Sequence, residues 1–203
     1  MYFDFLNKKY DIMIGTQMIS RGLHFPDVTL VGVINADTLM GIPDFRTGER
    51  TYQLITQVAG RAGRGEKSGE VIIQTYQPEN HVIEKIQENS YVSFYEKEIK
   101  KREELFYPPF SRIINIGISS SEEKGLEEFA IEFHKRIKDE EIEIYGPMRA
   151  MVYRVKGRYR YNIFVKGERE KINNYKERLL KAYKEMKNRK YRVVIDVEPT
   201  NLI

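Results

Sequence analysis

Eight residues, Gln57-Val58-Ala59-Gly60-Arg61-Ala62-Gly63-Arg64, carry the densest chemical signal in this sequence. Two arginines stand three apart behind a glycine, a spacing that sets both guanidiniums on one face of a helical turn. Each guanidinium is a planar fork of donors matched to phosphate oxygens. A pair held this way suits a triphosphate whose charge moves during hydrolysis. The same residues would also suit a glycine-rich turn with two solvated arginines, and the run alone does not decide.

Two further blocks could do chemistry. In Gly15-Thr16-Gln17-Met18-Ile19-Ser20-Arg21-Gly22-Leu23-His24-Phe25, a glycine at a strand end lets backbone N–H groups approach a phosphate, and the Thr16 hydroxyl can donate to one. An ordinary strand-to-helix turn with Thr16 as N-cap accounts for the block equally well. From Pro147 to Gly167 the charged residues are Arg149, Arg154, Lys156, Arg158, Arg160 and Lys166, all basic, with Tyr153, Tyr159, Tyr161 and Phe164 between them. Basic groups neutralise phosphates and aromatic faces stack on bases. Strand alternation puts Arg158, Arg160 and Asn162 on one face and Tyr159, Tyr161 and Ile163 on the other. The tyrosine face serves equally as core.

The elements that must position these blocks follow from periodicity. An α/β pattern is expected over residues 1–78. Strands are expected at Ile12–Ile14, Val28–Val33 and Glu70–Thr75, the second apolar enough for a parallel strand covered on both faces. A helix is expected over about Glu49 to Ala62, with Tyr52, Ile55, Val58 and Ala59 at 3–4 spacing. Residues 79–106 read as a helical connector whose run Glu96 to Glu104 is a solvated face. It stops at Pro108-Pro109, which cannot continue a helix. Residues 107–203 read as a small α+β domain of order β-α-β-β-α-β. Ser120 and Glu123 there form a candidate capping box, and Lys156-Gly157-Arg158 lies at a hairpin. Residues Phe3 to Tyr10 resemble the tail of a helix, and a domain seldom opens on half an element, so the chain is expected to be a fragment.

Composition narrows the classes. The chain has 203 residues, 41% hydrophobic and 32% charged, which fits a globular protein with a highly charged surface. Net charge is +4 and the pI about 9.0, a mild lean toward nucleic acid. Absence of cysteine excludes disulfides and thiolate-ligated zinc within these residues. His24, His81 and His134 are too dispersed for a metal cluster, so no metal site is expected here. No apolar run reaches the ~20 residues of a membrane-spanning helix.

Taken together, the first two blocks resemble motifs V and VI of superfamily 2 helicases. The wider string adds Phe25-Pro26-Asp27-Val28-Thr29-Leu30-Val31, Asn35-Ala36-Asp37, Asp44-Phe45-Arg46 and Glu49-Arg50. It resembles the bacterial PriA-type primosomal helicases, densely from about Asp11 to Phe110 and by element order beyond. The resemblance implies the end of a RecA-like helicase lobe 2 with its parallel sheet, then a C-terminal domain. It implies a parent that couples ATP hydrolysis to 3′-to-5′ unwinding, restarts stalled replication forks and promotes primosome assembly in the bacterial cytoplasm, at the nucleoid.

Residue by residue, Arg64 falls on the arginine-finger position and Arg61 on its γ-phosphate-facing companion. Gln57, Gly60, Gly22 and His24 fall at the nucleotide, His24 standing where many relatives carry a ribose-binding aspartate. Thr16, with Gln17 beside it, falls where such motors touch the DNA backbone. The implied partners are single-stranded and forked DNA, the acidic tail of single-stranded-DNA-binding protein and other primosome proteins. Lys156, Arg158, Arg160, Tyr159 and Tyr161 are the candidate surface for DNA or that tail. ATP and magnesium serve the parent, and its zinc belongs to a cysteine-rich insertion outside these residues. No G-x-x-x-x-G-K-[ST] loop or Asp-Glu-x-His motif occurs in this sequence. The chain alone is therefore expected not to hydrolyse ATP. A non-catalytic DNA- or protein-binding module and a different superfamily 2 translocase remain alternatives.

Overall fold

The computed structural model describes residues 2–16, 25–60, 62 and 68–202. The chain divides into two compact units, Met1–Ile99 and Lys100–Ile203.

The first unit is α/β. Helix α1 spans Tyr2–Leu6, strand β1 Leu30–Val33, α2 Asp37–Met40, α3 Thr47–Ala59, β2 Glu70–Ile73 and α4 His81–Gln87; helix α5, Tyr91–Glu104, begins in this unit. Strands β1 and β2 pair in parallel from Leu30↔Glu70 to Val33↔Ile73, with α3 between them in sequence. Val33 and Ile73 pack against a core of Ala36, Ile55 and Ile83. A second cluster joins Tyr52, Val82 and Phe94, where the rings of Tyr52 and Phe94 stack with centroids 4.3 Å apart. Helix α4 starts at Asn80, whose side chain accepts the Val82 N–H at 3.0 Å, the preferred use of asparagine at an N-cap.

Three expectations change here. The strand expected at Ile12–Ile14 is not formed, and Ile12 and Ile14 are exposed. Among the described residues nothing pairs with it, and β preference without a neighbour's ladder bonds stabilises little. The expectation of a sheet covered on both faces also fails among the described residues, since Leu30, Ile34 and Ile72 are open to solvent. Helix α3 ends at Ala59, not Ala62, because it reaches Gly60, a poor helix former that sits at the C-cap.

The second unit is a four-stranded antiparallel sheet under two helices. Its elements are β3 Arg112–Ser120, α6 Leu126–Ile137, β4 Glu143–Val155, β5 Arg158–Gly167, α7 Arg169–Glu185 and β6 Arg192–Val197. The sheet order is β4-β5-β3-β6, the split β-α-β arrangement. Alternation along β3 and β5 sends Ile114, Ile116, Ile118, Tyr161, Ile163 and Val165 to the helices. Helix α6 answers with Leu126, Ala130, Phe133 and Ile137, all fully buried at helical spacing. Helix α7 answers with Ile172, Tyr175, Leu179 and Ala182. The Tyr175 hydroxyl donates to the Ile137 carbonyl at 2.6 Å, tying the two helices together, and burial pushes its pKa up.

The capping box at Ser120 and Glu123 is not formed. Ser120 ends β3, and its Oγ accepts the Glu122 N–H at 3.1 Å. Helix α6 opens instead on Gly125 at φ 83°, a conformation glycine adopts without cost. No helix among the described residues is long and apolar enough to cross a membrane.

Candidate functional site

The run Gln57–Arg64 begins in the last turn of α3, a helix anchored at its N-terminal end. Asp44, just before α3, has a side chain wholly shielded from solvent. Its Oδ1 accepts the Arg46 N–H at 2.9 Å and its Oδ2 takes Arg50 Nη1 at 3.0 Å. The Thr47 hydroxyl donates to the Ile42 carbonyl at 2.7 Å. Gly48, in the first turn, is crowded by the Glu98 carboxylate, since a Cβ there would lie 3.2 Å from Glu98 Oε2. His81 Nε2 stands 3.6 Å from the same Glu98 oxygen. Two carboxylates thus meet the positive end of the helix dipole, a favourable placement for each.

Sequence reasoning missed Glu98. It lies in the run read as a solvated face, yet it is 8% exposed. The available signal was its position four residues after buried Phe94, on the same helical stripe.

At the other end of α3, Gln57 is exposed and Gly60 forms the C-cap, its N–H reaching the Thr56 carbonyl at 2.9 Å. The two lie within one turn of each other. Arg61, Arg64, Gly22, His24 and Gln17 fall outside the described residues. Thr16 is exposed and outside any regular element.

The basic, aromatic hairpin in the second unit is more tightly committed to its own fold than its sequence suggests. Strands β4 and β5 meet at Val155↔Arg158. The loop is therefore Lys156-Gly157 alone, both at positive φ (48° and 77°), the geometry two-residue hairpins favour. Arg158 turns back onto β3, where its Nη2 donates to the Ser119 carbonyl at 2.9 Å and its Nε to Ser119 Oγ at 3.3 Å.

The assignment of Tyr161 to a nucleic-acid surface is corrected. It is 3% exposed, within the core, and its hydroxyl donates to Glu127 at 3.1 Å. Tyr159 also packs against that core and carries Arg154 over its ring at 5.0 Å. Tyr153 joins both rings at 5.5 and 5.8 Å and donates to Glu123 at 3.0 Å. The tyrosines face inward because Tyr159 and Tyr161 alternate in phase with Ile163. Arg160 and the exposed Lys156 remain available.

Lys166 is the other basic residue whose surroundings sequence did not reveal. Its Nζ lies 2.9 Å from Glu143, donates to the Leu105 carbonyl at 3.2 Å, and sits 5.2 to 5.7 Å from the ring centres of Phe106, Tyr107 and Tyr145. Burial works against its charge, but the Glu143 carboxylate outweighs that and leaves its pKa raised. Bonds from Tyr145 and then Lys166 hold Glu143 below the usual carboxylate range.

Residues 103–200 match the family model of the primosomal protein N C-terminal domain. Residues 2–66 match the model of the helicase conserved C-terminal domain. The chain is 41% identical over 196 residues to replication restart protein PriA of Bacillus subtilis strain 168, an alignment covering 94% of this chain and 24% of that protein. Over nearly its whole length the chain is thus similar to the PriA replication restart proteins. Its similarity to PriA of Borreliella burgdorferi is 39% over 204 residues, covering 98% of this chain and 30% of that protein. For PriA of a Synechocystis strain the identity is 41% over 160 residues, covering 77% and 19%. The chain therefore spans less than a third of the length of these relatives.

Proposed function

We propose that the chain is the C-terminal part of an ATP-dependent 3′-to-5′ DNA helicase that restarts stalled replication forks and promotes primosome assembly. The observation that carries it is the order of two family matches along one chain: helicase residues 2–66, which include Gln57 to Arg64, then primosomal residues 103–200. Arg64 serves as arginine finger and Arg61 as its companion, stabilising charge on the transferring phosphoryl group. Such a finger is worth roughly 10³–10⁵ in rate, on a nucleotide that other residues bind. Gln57, Gly60, Gly22 and His24 face that nucleotide, which is ATP with magnesium. Thr16 and Gln17 meet the DNA backbone. Supporting the assignment, α3 carries the start of the run, is held at its far end by Asp44 and packs Gly48 close to the Glu98 carboxylate there.

The second unit supplies a surface for single-stranded and forked DNA, for the acidic tail of single-stranded-DNA-binding protein and for primosome partners. The whole protein acts in the bacterial cytoplasm at the nucleoid and carries its zinc on residues outside this chain. This chain supplies half of the ATP site and is inactive alone.

Arg64→Ala in the full-length protein tests the core of the proposal. DNA-stimulated ATP turnover should fall by about two orders of magnitude or more while DNA binding persists. Unchanged turnover would overturn the finger assignment.

A further inference from the structure

The second unit's sheet has one face under α6 and α7 and one face without a helix. Register places the side chains of the helix-free face in rows across three strands. Ser119 of β3 stands between Arg160 of β5 and Arg192 of β6. Two residues along, Gly117 stands between Asn162 and Val194; two further, Asn115 stands between Phe164 and Asp196. Successive rows lie about 7 Å apart along the strands.

Three features of this face are unexplained by folding. Asn162 is 3% exposed, and its Oδ1 has no hydrogen-bond partner; the Asn115 Oδ1 on the neighbouring strand is buried and unpartnered as well. A buried amide oxygen without a donor costs about 1–3 kcal/mol, so such groups are rare unless an ordered water, an ion or a ligand supplies the donor. Second, Arg160 and Arg192 have no carboxylate partner among the described residues, whereas Arg112 pairs with Glu198 and Lys166 with Glu143. Third, Gly117 leaves a gap between the asparagine row and the arginine row. A Cβ built there meets nothing nearer than the Val194 carbonyl at 4.0 Å.

We propose that this face binds single-stranded nucleic acid, with Arg160 and Arg192 on a phosphate and Asn115 and Asn162 on the edge of an unpaired base seated over Gly117. The chemistry selects the polymer. Asparagine amides pair with base edges, which offer both an N–H donor and an acceptor. The spacing between rows suits the reach from a nucleotide's phosphate to its base, and Phe164 offers a ring on the same face. Unpaired bases are the form of nucleic acid whose edges are open to such reading. Other four-stranded β-α-β-β-α-β sheets bind single strands on the corresponding face. That likeness of architecture proves nothing by itself, and here the orphaned amides and unpaired arginines carry the inference. Asp196, at the margin of the third row, opposes phosphate there and so confines the anion to the Arg160–Arg192 end.

The inference deepens the nucleic-acid part of the function proposed above and rests on it for the biological source of the strand. It moves the binding surface from the hairpin loop to the middle of the sheet. The experiment uses this chain without ATP, so its outcome is independent of the arginine-finger test.

Binding of a fluorescent oligo(dC) of about twenty nucleotides would be followed by anisotropy across a salt series, beside thermal unfolding. Asn115→Leu with Asn162→Leu should weaken binding about tenfold or more and also raise the unfolding midpoint, because two unpartnered amide oxygens are removed. Arg160→Ala with Arg192→Ala should weaken binding and lower the salt slope by about one for each phosphate that is no longer neutralised. Lys156→Ala should do less than either pair. A lower midpoint for the leucine pair, unchanged oligo(dC) affinity in either pair, or binding of an aspartate-rich peptide in place of the oligonucleotide would each overturn the proposal.

Discussion

Asp44 holds Arg50 at 3.0 Å from a side chain that solvent does not reach. The same carboxylate takes the Arg46 N–H at 2.9 Å, so one residue fixes both the approach to α3 and its first exposed turn. Hydrogen bonds to a charged partner contribute about 1.5–3 kcal/mol each. Asp44→Ala should therefore destabilise the first unit by about 2–3 kcal/mol, with Asp44→Asn costing less because one acceptor survives. Faster amide hydrogen exchange along α3 is the measurement, and exchange at the unaltered rate would show that the helix is held elsewhere.

Arg158 and Arg160 are two residues apart on β5, and their roles divide. Arg158 closes the sheet onto Ser119, whereas Arg160 has no carboxylate partner among the described residues. Arg158→Ala should cost about 1–2 kcal/mol of stability for its lost bonds, and Arg160→Ala less than about 0.5 kcal/mol. Paired urea titrations of the two variants check this, and equal losses would contradict the division.

That division shows where sequence was informative and where it was not. The order β-α-β-β-α-β and the hairpin at Lys156-Gly157 follow from local periodicity and turn chemistry, and both are present. The Ile12–Ile14 strand was read from the same kind of signal, but a strand exists only if a neighbour pairs with it, which no local pattern encodes. Strand alternation put Arg158 and Tyr161 on opposite faces of one strand. A sequence window does not reveal which face of the sheet is covered, so the tyrosine face stayed open between core and ligand surface. Glu98 was hidden for the converse reason: its neighbours in sequence are charged, while its neighbours in space are Gly48 and His81. Of the proposed nucleotide site, Gln57 and Gly60 are placed at the end of α3, and the arginines lie outside the described residues.

Lys166 and Glu143 make the second unit sensitive to pH at both extremes. Glu143 titrates below its ordinary value of about 4.3. Its pairing therefore contributes stability above that pH and loses it as the pH falls through the depressed folded value. Lys166 is raised above its ordinary value of about 10.4. Its contribution is complete below that pH and is lost as the pH rises through the raised folded value. Glu143→Gln should flatten the acid limb of a stability profile below about pH 4.3, and Lys166→Met should flatten the alkaline limb above about pH 10.4. Limbs of unchanged slope would mean that other groups govern both transitions.

Gly146 of β4 and Gly117 of β3 flank Asn162 of β5 and should respond oppositely to alanine. Gly146 has φ 102°, and a Cβ there would come within 2.8 Å of the Asn162 carbonyl oxygen and 3.1 Å of the Met148 nitrogen. Both obstacles are backbone, and they sit where β4 slips its register against β5 between Tyr145 and Met148. Relief would require moving the β5 backbone at Asn162 or abandoning the bulge. Gly117 has ordinary strand geometry, and its Cβ would meet only the Val194 carbonyl at 4.0 Å. Gly146→Ala should destabilise the second unit by about 2 kcal/mol or more, from the sum of strained φ and clash. Gly117→Ala should be neutral or stabilise by up to about 1 kcal/mol, since alanine loses less backbone entropy in a strand. Urea denaturation of the two variants beside the parent chain separates these outcomes. A Gly146→Ala chain as stable as the parent would show that the bulge can relax without it.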